Sequence, residues 1–225
     1  MRKIFKNQPP ASFVTYLGKK NPQDPNYKPS FEGMDSKVKE DLKIYLLNEQ
    51  GWLCGYCQQK INDINKMKIE HHCEQSICNG KDGTVDKTLD YKNLLAVCLG
   101  KGSGELHCDS KKGTPRVQYR LPMNISPWNS ANMDTIAYSN TGLIKSSNPI
   151  YEEEINEILN LNVKYIKDNR SKKFSLIYNN AKHINPRIQK EKMRRILIDD
   201  LEFGDNKFSN SFPGMSEYML KKFCR

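Results

Sequence analysis

The pattern of hydrophobic and polar positions predicts a strand, a second strand and a helix in the first half of the chain. Residues 66–71 alternate in polarity, as half-buried strands do, and residues 94–97 form an uninterrupted hydrophobic strand. A helix is expected to begin at Asp109. Residues 35–50 predict a longer helix upstream, because hydrophobic residues recur there at helical spacing. They are Val38, Leu42, Tyr45 and Leu46.

The flanking segments differ in composition. Five prolines before residue 30 predict an extended or turn-rich arm with little regular structure. Residues 135–138 and 143–145 predict a hairpin, and helices are expected after it. One has an apolar face running from Ile155 to Ile166, and another starts after Asn185-Pro186. The expected architecture is α+β, with an arm at 1–34, a core domain at 35–120, and a hairpin plus helical region at 121–225.

Composition and charge narrow the classes of function. The hydrophobic fraction of 37% can support a core, and the net charge of +10 favours a polyanionic partner, nucleic acid above all. Residues 61–114 contain eight Lys and eight Asp or Glu, so the positive excess lies in the flanks. The first ten residues lack the apolar core of a signal peptide, and no run of about 18 apolar residues occurs. We therefore expect a soluble, cytoplasmic protein with no membrane partner.

Four cysteines predict a structural zinc site. Cys54 and Cys57 form a CxxC turn, which points two thiolates at one tetrahedral ion. Cys98 and Cys108 would complete four sulfurs, although nine residues separate them instead of the usual two. Glycines in this insertion would let it fold back tightly, so that both thiolates can converge.

Alternatives to this ligand set remain open. Some of the cysteines could be buried thiols without a metal, and Cys73 or His107 could replace Cys98 or Cys108 as a ligand. The remaining cysteines fit no zinc pattern, and we expect Cys73, Cys78 and Cys224 to be free thiols.

A second group of residues predicts phosphodiester hydrolysis at a different ion. Glu70 and Asp109 could bind Mg²⁺ (or Mn²⁺) through carboxylate oxygens. His71, next along the strand, projects to the opposite side and could take a proton from water. Asn93 could orient the imidazole or the loop that carries it, and Lys112 could bind a phosphate.

Each of these residues also has a structural interpretation. Asp109 could cap the helix that follows it, and Asn93 could be an ordinary turn residue. His72 competes with His71 for the role of base, because a shift of one residue in register exchanges the strand faces. Their order between the two cysteine pairs favours catalysis.

The same residues resemble the HNH, or ββα-metal, endonucleases. Cys54-Gly55-Tyr56-Cys57, Tyr91-Lys92-Asn93-Leu94-Leu95 and Cys108-Asp109 match that family, and EHHCEQS at 70–76 is similar to its DHxxPQS strand. The resemblance implies a zinc-stapled ββα-metal core at 35–120, with Glu70 as metal ligand, His71 as general base, Asn93 as the central asparagine and Asp109 at the final position. There are two departures: Asp109 stands where the family has His, and Glu74 where it often has Pro.

Most of the chain also resembles one branch of that family, the HNH subunits of Septu anti-phage systems (PtuB), which also occur with retrons. The matching stretches are Met1-Arg2-Lys3-Ile4, Glu49-Gln50-Gly51, His107-Cys108-Asp109 and Leu159-Asn160-Leu161-Asn162. The resemblance implies an SMC- or ABC-like ATPase partner (PtuA-like) and, in a retron, a reverse transcriptase with its msDNA.

Two classes of function follow. The favoured one is a metal-dependent nuclease that cuts DNA, with RNA such as tRNA as the alternative substrate. The other is a zinc-ribbon module that binds a nucleic acid or a partner without catalysis. A pure binding module has no need for Glu70, His71, Asn93 and Asp109 in this order.

Overall fold

The computed structural model describes residues 1–81, 85–102, 104–114, 122–205, 207–208 and 210–224. The boundary expected at residue 120 lies outside these ranges. One buried hydrophobic cluster includes residues from both ends and from the centre of the chain, among them Phe13, Leu95 and Ile166. Within the described ranges, no helix combines the length and hydrophobicity of a membrane span.

The N-terminal segment contains more regular structure than its prolines suggest. A short helix, α1 (Ala11–Leu17), follows Pro10 and buries Phe13 and Tyr16 on one face. The Tyr16 hydroxyl donates to the Ser30 carbonyl at 2.6 Å, which ties the rest of the arm to this helix. The expectation of little regular structure is therefore wrong for α1, because two core-facing aromatic residues at helical spacing outweigh the neighbouring prolines.

The predicted helix at 35–50 is confirmed as α2 (Ser36–Gln50). It ends at Gly51, whose φ of 67° lies in the left-handed region that glycine tolerates. At the same end, the amide of the buried Gln50 donates to the Ala96 carbonyl at 2.7 Å and accepts from the Ala96 N–H at 2.8 Å. The start of the cysteine turn is thereby fixed to the central hairpin.

The central hairpin consists of β1 (Met67–His71) and β2 (Leu94–Cys98), which pair antiparallel with Glu70 opposite Leu95. Residues 94–97 of β2 are fully buried, as their hydrophobic run predicts. Single 3-10 turns, Ile64–Lys66 and Tyr91–Asn93, lead into the two strands. A smaller hairpin, β3 (Lys101–Gly102) and β4 (Glu105–Leu106), then precedes helix α3 (Cys108–Lys112). The two strands and the helix thus occur near the predicted positions, with the β3–β4 hairpin between the second strand and the helix.

The second half begins with α4 (Ser130–Asp134) and the predicted hairpin, β5 (Ile136–Tyr138) with β6 (Ile144–Ser146). The next helix, α5 (Pro149–Glu153), continues as a π-helical turn, Glu154–Ile158, and a separate helix, α6 (Lys164–Ala181), follows. Residues 155–166 therefore do not form one continuous helix, although their apolar positions are buried as predicted. The break occurs where Asn160 is left-handed (φ 47°) and the Leu159 carbonyl accepts from the backbone N–H of Cys108 at 2.8 Å.

Three helices close the C-terminal region. Helix α7 (Pro186–Asp200) starts as predicted, with the Asn185 side chain accepting from the Arg187 N–H at 2.9 Å. A two-residue hairpin, β7 (Phe203–Gly204) with β8 (Lys207–Phe208), leads to α8 (Pro213–Phe223). Helix α7 contacts both α6 and α8, and its Met193 and Leu197 are buried.

Candidate active site and thiol cluster

The four predicted zinc ligands converge on one point. Their Sγ atoms all lie within 4.8 Å of one another. The Cys54 and Cys108 sulfurs are 3.8 Å apart, and so are those of Cys57 and Cys98. Zinc bonded tetrahedrally to four sulfurs at about 2.3 Å would separate them by about 3.8 Å. This thiol cluster, Cys54, Cys57, Cys98 and Cys108, could therefore bind a structural zinc ion.

The nine-residue insertion before Cys108 folds back at a glycine, as expected. Gly100 has a φ of +64°, and its carbonyl accepts from the His107 N–H at 3.0 Å. A side chain on Gly100 would collide with the His107 carbonyl. The close return therefore requires glycine here, and it allows Cys98 and Cys108 to meet despite their unusual spacing.

The alternative ligands lie outside the four-thiol group. His107 is buried beside it, with Nδ1 3.2 Å from the Cys108 sulfur, a hydrogen-bonding distance. Cys73 and Cys78 form a disulfide, so the expectation that both are free thiols is wrong. Their spacing closes a tight loop after β1, and the pairing leaves Cys73 no thiolate for a metal. Cys224 is a free thiol, as predicted.

Glu70 is the centre of a buried polar cluster next to the thiols. Its Oε1 accepts from the Tyr56 hydroxyl at 3.0 Å and lies 2.5 Å from the Lys112 ammonium. Burial, and the neighbouring Asp109 carboxyl, raise the pKa of Glu70 to about 8, although Lys112 acts in the opposite direction. In the absence of a bound cation, Glu70 therefore holds a proton at neutral pH.

Asp109 takes the opposite protonation state. Burial acts to raise the pKa of Asp109, but hydrogen bonds from Glu70 and Lys68 outweigh it, and the pKa is lowered. Lys68 contacts the Asp109 carboxylate at 2.8 Å. Glu70 and Asp109 thus form an acidic pair that shares one proton, so the structure brings together the two carboxyls expected to bind the divalent cation.

Lys112 is buried in the same cluster. Besides Glu70, its ammonium contacts the backbone carbonyls of His71 and His72, at 2.8 Å and 3.1 Å. Glu74, at the position where HNH proteins often have proline, lies 3.9 Å away. In this arrangement Lys112 joins α3 to the end of β1, and a phosphate would have to displace one of these contacts to reach it.

His71 faces away from Glu70, as the strand alternation predicts. Its ring packs edge-on against Phe31, with ring centroids 4.6 Å apart, and its Nε2 is 2.9 Å from the Thr88 carbonyl. The Gln75 side-chain nitrogen, which can only donate, lies 3.2 Å from the same Nε2, so the two contacts require opposite roles of this nitrogen and do not assign the tautomer. Burial lowers the pKa of His71, which leaves the imidazole neutral and able to take a proton.

His72, the alternative base, lies in a separate environment. Its Nε2 is 2.9 Å from the Ile125 carbonyl, and its ring centroid is 4.9 Å from that of Trp128. Burial lowers the pKa of His72 to about 4, so it is also neutral. The carboxylate of Glu154 accepts from the Ile125 N–H at 2.7 Å and so fixes this segment beside His72.

Asn93 fixes the loop after β1. Among the residues that the structure describes, its side chain forms no hydrogen bond with either imidazole. Its side-chain oxygen accepts from the Cys73 N–H at 2.8 Å, and its amide donates to the carbonyls of Cys73 and Lys87, each at 3.0 Å. Its own carbonyl accepts from the His72 N–H at 2.9 Å. These contacts are those of a residue that holds the loop beside the histidines, and not of one that orients an imidazole directly.

Three contributing residues are absent from the sequence-based set. Lys68 lies two positions before Glu70, so strand alternation already places both on one face and could have identified it. Tyr56 stands inside the CxxC turn, but its contact with Glu70 depends on how that turn meets β1. Glu154 comes from a distant helix, and nothing local in the sequence indicates its position beside residues 124–125.

Comparison with known proteins supports the HNH family. A stretch of 81 residues is 36% identical to a candidate HNH endonuclease of retron Ec83 from Escherichia coli, and this covers 32% of the present chain. The aligned region spans about a third of that relative, 31% of its length. No protein-family model matches the chain. The similarity supports the resemblance to HNH proteins over the aligned part of the chain.

Proposed function

We propose that the protein is a metal-dependent HNH endonuclease that hydrolyses phosphodiester bonds. The observation that carries this proposal is the acidic pair: buried Glu70 directly precedes His71, and half-buried Asp109 directly follows Cys108 of the thiol cluster. A zinc-ribbon binding module would need the thiols, but it would gain nothing from two carboxyls that compete for one proton.

The donor set of the acidic pair fits a hard divalent cation, Mg²⁺ or Mn²⁺. Carboxylate oxygens are the protein ligands that such cations prefer, and two carboxyls held together without a cation retain a proton, as this pair does. Bound there, the cation would supply positive charge to the phosphate oxygens as negative charge develops in the transition state.

The residues of the chain would perform the remaining steps. His71, whose neutral imidazole has one unprotonated ring nitrogen, takes a proton from water as the water oxygen bonds to phosphorus. The ester P–O bond breaks, and the leaving oxygen takes a proton from solvent. Asn93 holds the loop beside His71. This role matters because a general base works only when it is correctly oriented towards the water. Lys112 positions Glu70, and we retain phosphate binding as its second proposed role.

The proposed substrate is DNA in the cytoplasm, and RNA is the alternative for the same site. The positive charge of residues 1–60 and 115–225 supports a nucleic acid of either kind. The resemblance to Septu subunits and the similarity to a retron relative support a role as the nuclease of an anti-phage complex. Its proposed partners there are an SMC- or ABC-like ATPase and, in a retron, the reverse transcriptase with its msDNA.

Cleavage assays with His71→Ala test this function. The purified protein, alone and mixed with a purified PtuA-like ATPase, is incubated with labelled duplex DNA, single-stranded DNA and total RNA, with and without Mg²⁺. We expect Mg²⁺-dependent cleavage, and a loss of about 10²- to 10⁴-fold in rate for His71→Ala. His71→Ala should remain folded and keep the zinc content of the parent.

His183→Ala is the matched control. His183 is an exposed histidine between α6 and α7, and its replacement should leave cleavage unchanged. Equal cleavage by His71→Ala and the parent would remove His71 from the mechanism. Absence of cleavage of every substrate by the complete complex would favour the binding module.

A further inference from the structure

Arg170, on helix α6, is a buried cation without an ionic partner. It is 2% exposed, and its Nη2 donates to the Leu161 carbonyl. Its Nε and Nη1 have no hydrogen-bond partner among the described residues, and no ion pair found there includes Arg170. An uncompensated buried guanidinium is strongly destabilising, so this side chain indicates a missing negative charge.

The backbone segment that Arg170 contacts is also the segment that holds Cys108. The Leu159 carbonyl accepts from the Cys108 N–H at 2.8 Å, and the Asn160 amide donates to the Leu106 carbonyl at 2.9 Å. Leu161, whose carbonyl binds Arg170, follows directly. Residues 159–161 therefore connect the guanidinium to the start of α3, where the fourth thiol lies.

The electrostatic surroundings of Arg170 point to the thiols. Burial lowers the pKa of Arg170, while the Tyr138 hydroxyl and the thiols of Cys57 and Cys108 act to raise it. Burial also raises the pKa of Tyr138, so that its hydroxyl is neutral at physiological pH. Of the groups in the described residues that act to raise the pKa of Arg170, the thiols are therefore those that can carry negative charge.

Zinc would turn the thiol cluster into an anion. Cysteine binds zinc as a thiolate, so an ion of charge 2+ with four such ligands carries a net charge of 2−. A buried centre of that charge needs compensation from nearby cations or donors. The unpartnered guanidinium nitrogens offer both.

We propose that Arg170 is the buried counter-charge of a zinc–tetrathiolate centre at Cys54, Cys57, Cys98 and Cys108. This inference rests on zinc binding by the thiol cluster of the proposed nuclease and not on catalysis. It gives α6 a role in the metal centre of the hairpin region, with Arg170 as a positioning and charge-compensating residue that does not bind the ion.

Zinc competition with Arg170→Met and Arg170→Lys tests the proposal. Zn²⁺ is withdrawn from each full-length protein by a chromogenic chelator, and Co²⁺ is used to verify four-sulfur ligation by its absorption spectrum. Loss of outer partners of a metal site commonly weakens binding about 10- to 100-fold, and we expect this for Arg170→Met. Arg170→Lys keeps the positive charge, so its zinc affinity should stay within about 3-fold of that of the parent.

Lys173→Met is the matched control. Lys173 is a half-buried cation one turn further along α6, but it is paired with Asp200 at 2.5 Å. Its replacement should lower the unfolding temperature and leave zinc affinity unchanged. If Arg170→Met does not fold, Arg170→Gln is compared with Arg170→Lys by the same zinc measurement.

Three results would overturn the proposal. The first is parental zinc affinity in Arg170→Met, or in Arg170→Gln where that variant replaces it. The second is an equal loss of zinc affinity in Arg170→Lys and in the variant that removes the charge. The third is a parent protein whose Co²⁺ spectrum does not show four sulfur ligands. None of them depends on nuclease activity. Failure of His71 as the catalytic base would leave the zinc measurements as they are, so the two proposals can fail separately.

Discussion

The thiol cluster and the acidic pair are neighbours, yet they are built in different ways. In the cluster, four identical groups are presented by a turn, a strand end and a helix start, and their sulfurs meet at similar distances. In the acidic pair, Glu70 depends on buried contacts with Tyr56 and Lys112 for its position. The geometry of the thiol cluster is determined mainly by the backbone. The geometry of the acidic pair is determined by side-chain contacts and by a shared proton.

The comparison also shows which site depends on the other. Tyr56 directly precedes Cys57, and Asp109 directly follows Cys108, so two groups that contact Glu70 are next in sequence to zinc-type ligands. Loss of the cluster should therefore disturb the acidic pair. Loss of Glu70 should leave the four thiols in place, because they do not use it.

Cys57→Ser, in the thiol cluster, should have the largest effect on stability. We expect loss of zinc and extensive unfolding, because structural zinc contributes about 10–16 kcal/mol to folding in zinc-finger peptides. Zinc content and circular dichroism on heating provide the measurement. Cys224→Ser, which removes a free thiol outside the cluster, should keep both at parental values. Parental unfolding of Cys57→Ser would mean that the cluster is not a zinc scaffold.

Asn93→Ala, in the loop after β1, should lower the stability of the protein by less. It leaves the Cys73 N–H and two carbonyls without their partner, and an unsatisfied buried group costs about 1–3 kcal/mol. Denaturant unfolding should show this loss while zinc content is unchanged. Asn65→Ala, at an exposed position before β1, is the control and should have parental stability. A fall in zinc content of Asn93→Ala would contradict the separation of the two sites.

Without added Mg²⁺ or Mn²⁺, the stability of the protein should depend on pH through Glu70. Glu70 has a pKa of about 8 in the folded protein against an ordinary value of 4.5. Between these values the folded state holds a proton that the unfolded state has lost, so stability should fall as pH rises through this window. Glu70→Gln should flatten this part of the curve, as followed by thermal unfolding of the zinc-loaded protein. An equal slope in variant and parent would show that Glu70 is not the group that titrates.

Local patterns in the sequence were sufficient for much of the fold. Helical spacing in residues 35–50 and capping at Asn185 predicted α2 and the start of α7, because each signal lies within the element itself. The break at 159–163 was missed because its cause is tertiary: the Leu159 carbonyl binds Cys108, about fifty residues earlier in the chain. Helix α1 was missed because five prolines masked two core-facing aromatic residues.

The candidate sites show the same limit. The spacing of the cysteines, and the order of Glu70 and Asp109, are visible in the sequence. The disulfide of Cys73 with Cys78, the contact of Tyr56 with Glu70 and the burial of Lys112 depend on how the loops pack. Side-chain partners of this kind have no periodic signal in the sequence.

Binding of Mn²⁺ to the zinc-loaded protein tests most directly the central claim that Glu70 and Asp109 hold one divalent cation. Free Mn²⁺ is followed by electron paramagnetic resonance during titration of the parent, Glu70→Gln, Asp109→Asn and the control Glu191→Gln, an exposed position on α7. We predict one site in the parent and the control, and its loss in both acidic-pair variants with zinc retained. Parental Mn²⁺ binding by Glu70→Gln and Asp109→Asn would contradict the account.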